Sequence, residues 1–86
     1  MKKVYVVETK VCDYEDFVWD EVTPKVEAIF ETYELARIYV NQYLQENEDE
    51  GYKVEKYDED TWEVGPFILI SISKFRVYQS EEELNK

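Results

Sequence analysis

The sequence predicts an α+β fold, a single helix packed on a small antiparallel sheet in the order β-β-α-β-β. Three observations carry that expectation. Short runs of β-branched and aromatic residues recur near residues 4–7, 26–30 and 67–78. One segment, residues 33–45, replaces that alternation with helical spacing. The whole chain has 86 residues, 44% of them hydrophobic, with eight Tyr, four Phe and two Trp, which is too apolar for a disordered acidic tail and short enough for one domain. Residues 1–80 are expected to form that domain and residues 81–86 an acidic C-terminal tail.

The elements follow in order. Val4-Tyr5-Val6-Val7 is of strand type. Residues 12–22 are open between loop, strand extension and short helix, and Pro24 disfavours regular structure through Thr23. Residues 26–30 read as a second strand, with Val26, Ala28 and Phe30 on one face. Thr32 is a suitable helix N-cap, and Glu34 in the first turn suits the helix dipole. Leu35, Ala36, Tyr39, Val40, Tyr43 and Leu44 then share a helical face, and the helix should end near Gln45 and fray in the acidic run before Gly51. Residues 52–57 alternate as a strand. Asp58-Glu59-Asp60 is a turn, Thr61 to Val64 a short returning strand, and Gly65-Pro66 a break. Residues 67–78 form the strongest strand, with Ile68, Ile70 and Ile72 on one face and Phe67, Leu69, Phe75 and Val77 on the other. A strand apolar on both faces belongs at the centre of a sheet or under a partner subunit, so a homodimer through the sheet is one expectation.

Charge narrows the function. The chain has 21 acids, 10 bases and no histidine, for a net charge of -11. Binding nucleic acid directly is excluded by the need for Lys and Arg to displace counterions from phosphates. Anionic membranes are disfavoured for the same reason, and no apolar run approaches the length needed to span a bilayer. Without histidine there is no Ser-His or Cys-His nucleophile pair, and two glycines make no phosphate loop. The lone Cys12 reads as a small buried hydrophobe. The absence of a signal-peptide pattern places the protein in the cytoplasm, of its own cell or of an infected host. Neither enzymatic activity nor a cofactor is expected.

Seventeen of the 21 acids fall in two blocks, residues 13–34 and 46–63, and residues 64–80 contain none. In the first, Tyr14, Phe17 and Trp19 interleave with Asp13, Glu15, Asp16, Asp20 and Glu21. Rings inside an anionic frame suit a basic partner, the rings as anchors and the carboxylates as mates for Arg and Lys. In the second, Glu48, Asp49 and Glu50 close the helix and Asp58, Glu59 and Asp60 form a hairpin tip, with Tyr57 and Trp62 beside it as a cross-strand pair. Glu46, Glu48, Glu50 and Gly51 copy part of a calcium-loop spacing, but Tyr57 stands where the bidentate Glu belongs.

The segment Val26-Glu27-Ala28-Ile29-Phe30-Glu31-Thr32-Tyr33-Glu34-Leu35-Ala36 resembles a strand-to-capped-helix pattern in small uncharacterised phage and bacterial β-β-α-β proteins. The resemblance covers about a quarter of the chain and transfers no functional residue. In size and acidity the chain also resembles phage-encoded inhibitors that mimic DNA. The resulting expectation is a non-catalytic acidic protein that binds the basic surface of a nucleic-acid-processing or host-defence protein, with both acidic blocks on one continuous face. The alternative is an accessory domain that recognises partners through an apolar sheet face, its acids serving solubility alone.

Overall fold

The computed structural model describes residues 2–12, 21–65 and 67–77. Its elements are β1 (Lys2–Val11), β2 (Lys25–Phe30), α1 (Tyr33–Asp49), β3 (Val54–Asp58), β4 (Thr61–Val64) and β5 (Ile68–Val77). The five strands form one sheet in the order β2-β1-β5-β4-β3, and every neighbouring pair is antiparallel. The expected α+β fold of one helix on an antiparallel sheet is present, with β3 and β4 as a further hairpin ahead of the last strand.

The helix joins the two edge strands and so crosses the full width of the sheet. Thr32 caps it as the sequence predicts: the Leu35 amide donates to Thr32 Oγ1 at 3.2 Å. Ala36 and Val40, four residues apart, are fully buried beneath it. They meet Val7 from β1, Trp62 and Val64 from β4, and Ile70 and Ile72 from β5, with Tyr5, Phe30, Tyr33, Tyr39, Tyr43, Leu44, Val54 and Ile68 around them. Each large side chain so buried contributes roughly 1.5–3 kcal/mol relative to exposure. Thr9 is buried on this side too, and its hydroxyl donates to Glu27 Oε1 at 2.8 Å, so it is not stranded. The triplet Ile68, Ile70, Ile72 shares one face as expected, and that face lies against the helix, with β5 at the centre of the sheet.

Four expectations change. The helix runs on through Asp49 rather than fraying after Gln45. Its end is closed by the Gly51 amide donating to the Glu48 carbonyl and the Tyr52 amide to the Asn47 carbonyl, a Schellman arrangement in which Gly51 takes φ +97°. Because residues 46–49 are helical, they do not form a calcium-type loop. Leu35 is about half exposed and leaves the buried face to Ala36 and Val40. Val26 parts from Ala28 and Phe30, because a bulge at Glu27 shifts the register between Val7 and Glu8: Ala28 pairs with Val7, while Val26 pairs with Glu8. Finally, Tyr57 and Trp62 are not a cross-strand pair. Lys56 lies opposite Trp62 and the register shifts past it, leaving Tyr57 exposed and Trp62 buried under Arg37, whose guanidinium carbon sits 4.6 Å from the ring centroid.

Candidate partner-binding surface

The second acidic block surrounds the outer edge of the sheet. At one end, Glu46, Glu48, Asp49 and Glu50 crowd the helix C-terminus, where the last turn has no basic residue. Carboxylates there oppose the helix dipole. Asp49 accepts a hydrogen bond from Gln45 Nε2 at 3.0 Å, but none of the four has an ion-pair partner among the described residues. The chain then turns at Gly51 and runs back along β3. At the far end of β3, Asp58 Oδ1 accepts from the Glu59 amide at 2.8 Å, which shapes the turn. Asp60 Oδ1 accepts the Tyr33 hydroxyl at 2.6 Å, and its carbonyl accepts the Ile72 amide at 2.9 Å. Hydrogen bonding to Asp60, reinforced by burial, pushes the Tyr33 phenol above its ordinary value of 10.0. Asp60 therefore ties the turn to the helix, while Glu59 is free to face solvent.

Between the two ends lies Glu55, directly opposite Glu63 on β4. Lys53 Nζ reaches Glu55 Oε1 at 2.8 Å, and this hydrogen bond, with its charge attraction, raises the Lys53 ammonium pKa above 10.5. Lys53, Glu55, Glu63 and Gly65 line a shallow hollow of about 270 Å³. Five residues of extended chain span roughly 17 Å, so the helix-end acids and the turn acids bracket one sheet edge.

Of the first block, Glu27 lies in β2 and Glu31 directly follows it, at the opposite edge of the sheet. Asp13, Tyr14, Glu15, Asp16, Phe17, Trp19 and Asp20 lie outside the described residues. Of the remainder, Glu21 is exposed, Glu27 accepts from Thr9, and Glu31 pairs with Lys2 at 2.7 Å. The hydrogen bond from Lys2 and its charge hold the Glu31 carboxyl below 4.5. Glu27 and Glu31 thus sit at the β2 edge, four strand spacings or roughly 19 Å from β3. Glu34, in the first turn of the helix, lies between the two groups. The described acids form two opposite rims rather than one continuous face.

Sequence reasoning missed two contacts and one surface: the Tyr33–Asp60 bond, the Arg37–Trp62 stack, and a cluster of bases on β1 and β5. The clue to the last was the acid-free stretch of residues 64–80, but only strand pairing brings it beside the basic start of the chain. Among the described residues no group of three or more Cys, Asp or Glu side chains is arranged to hold a metal ion, and no helix is long and apolar enough to cross a membrane. Compared with known proteins, the chain matches no family model, no curated protein and no solved structure.

Proposed function

We propose that this is a non-catalytic acidic interaction protein whose β3 rim binds the basic surface of a partner, a nucleic-acid-processing or host-defence protein, as a phage-type inhibitor acting by charge mimicry. The supporting observation is the placement of four unneutralised carboxylates at the helix C-terminus, the position where the fold gains least from them. Carboxylates that oppose their own helix have a use outside it. Along β3 they continue through Glu55 to Asp58, Glu59 and Asp60, held on a hydrogen-bonded frame.

Affinity for the tagged protein in lysate, washed at low and then high salt, tests the reading. A nucleic-acid-binding protein that elutes with salt is expected. The combined variant Glu46→Gln, Glu48→Gln, Asp49→Asn, Glu50→Gln should lose that partner yet melt at a higher temperature than the parent, because the dipole conflict is removed. Retention of the partner by this variant would refute the assignment to the rim.

A second reading has its own observation. On the sheet face away from the helix, Ile29, Val26 and Phe75 are 62%, 54% and 51% exposed. An accessory domain that recognises partners there, or a homodimer through the sheet, would cover them. Light scattering at increasing concentration separates the two readings, since a sheet dimer persists at high salt.

A further inference from the structure

The pairing of β1 with β5 sets Lys3 directly opposite Arg76 and Tyr5 opposite Lys74. β2 follows β1 only back to Tyr5, and β4 follows β5 only up to Ser71. Beyond those points β1 and β5 continue as a two-stranded ribbon. Strand alternation places Lys3, Tyr5, Ile72, Lys74 and Arg76 on the side that the helix covers farther along. The helix begins only at Tyr33, whose ring meets Tyr5 edge-on with centroids 5.9 Å apart. Past that contact no other described element covers the ribbon face, and Lys3, Lys74 and Arg76 are exposed. At its base is a hollow of about 250 Å³ lined by Tyr5, Tyr33, Asp60, Ile72 and Lys74.

Two facts set this patch apart. The chain has about two acids for each base, and while Lys2 and Lys53 are ion-paired and Arg37 lies over Trp62, three bases collect here on one face of two paired strands. Lys3, Lys74 and Arg76 have no acidic partner among the described residues. Moreover, like charges directly opposite on neighbouring strands are destabilising, and the Lys3–Arg76 pair serves no packing need at an exposed site.

We propose that this face docks an extended acidic segment of a partner protein, with one apolar side chain seated in the hollow. Arg76, Lys74 and the hollow over Ile72 succeed one another at two-residue steps, roughly 7 Å apart. An extended peptide repeats its side chains at the same step, so a segment patterned acidic-x-acidic-x-apolar matches the face: carboxylates on Arg76 and Lys74, a ring in the hollow against Tyr5 and Ile72. A long polyanion fits less well, because Asp60 lines the hollow and the acidic body repels phosphates beyond the patch. Over a short segment, screening within about 8 Å at physiological salt leaves the local bases in control. This surface meets the acidic β3 rim only at Asp60 and does not depend on that rim binding a partner.

The test is a nuclear magnetic resonance titration of the isotope-labelled full chain with the synthetic peptide acetyl-Glu-Thr-Glu-Thr-Phe-Thr-amide. Shifts confined to Lys3, Tyr5, Tyr33, Ile72, Lys74 and Arg76 are expected. The variant Lys3→Gln, Lys74→Gln, Arg76→Gln, whose sites are all exposed, should keep the fold and weaken the peptide about tenfold. The control Lys53→Gln, Lys56→Gln should bind as the parent does. Replacing Phe by Ala in the peptide should also weaken binding. The proposal is overturned if the peptide causes no shifts at millimolar concentration, if the triple variant binds it equally, or if an oligothymidylate probe shifts the ribbon more strongly than the peptide.

Discussion

Ile70 and Leu69 are neighbours in β5, and they point to opposite faces of the sheet. Ile70 is fully enclosed beneath the helix, in one cluster with Val7, Val40 and Val64. Leu69 is buried as well, as are Val6 and Cys12, but these three do not belong to that cluster. The face they share with Phe75 and Ile29 passes from buried to open within a few residues. The difference teaches that one alternation supplies apolar groups to both sides: beneath the helix they join a single cluster, whereas on the opposite face buried Val6, Cys12 and Leu69 give way to exposed Ile29 and Phe75.

Mutations can break this comparison. Ile70→Ala should cost about 2–5 kcal/mol in chemical denaturation, the range for an enclosed aliphatic truncated to a cavity. Leu69→Ala should cost less by about 1 kcal/mol or more, since its surroundings can relax; an equal loss would show that the second face is as tightly packed as the first. Thr32→Ala removes the cap that fixes where the cover begins and should cost about 1 kcal/mol, read from the thermal midpoint and helical circular dichroism. Phe75→Ser should stay within about 0.5 kcal/mol of the parent. A large loss at Phe75 would mean that the open face is covered in solution.

Alkaline pH sharpens the comparison from the helix side. Burial raises the Tyr43 phenol above 10.0, with Glu27 and Tyr39 adding to it, and the bond to Asp60 raises that of Tyr33. Below pH 10 the folded and unfolded chains both keep these protons. Above it the unfolded chain releases them first, so stability falls as pH rises through the folded values. Tyr33→Phe should flatten that decline, as followed by denaturation at several pH values. An unchanged slope would show that Tyr43 alone carries it.

Much of the helix-covered face was legible in the residues. The Ile68, Ile70, Ile72 alternation, the Thr32 cap and the Gly51 turn each follow from local chemistry, and each is present. What escaped was set by partners distant in sequence. The β2 bulge at Glu27 arises in pairing with β1, so periodicity alone put Val26 on the wrong side. The helix continued through its acids because Gly51 and Tyr52 close it from outside. In the candidate site, the acids of residues 46–63 were visible as a block. Their arrangement around one edge depends on β3 lying last in the sheet, which no local pattern encodes. The bases of the ribbon were equally plain in composition, yet lie some seventy residues apart in the chain until β5 meets β1.

That meeting also sets the order in which the molecule can be made. Of the described strands, β1 is the first to leave the ribosome and β5 the last, yet they are neighbours along their whole length. The β1–β2 and β3–β4 pairs can each close locally, but until the final strand emerges β1 offers an unpaired inner edge and the two halves remain unjoined. Such long-range closure slows folding and leaves the nascent chain open to wrong pairing. A stop codon placed before Ile68 would therefore remove the sheet's centre rather than trim one side, and the shortened product should be recovered as aggregate or be degraded.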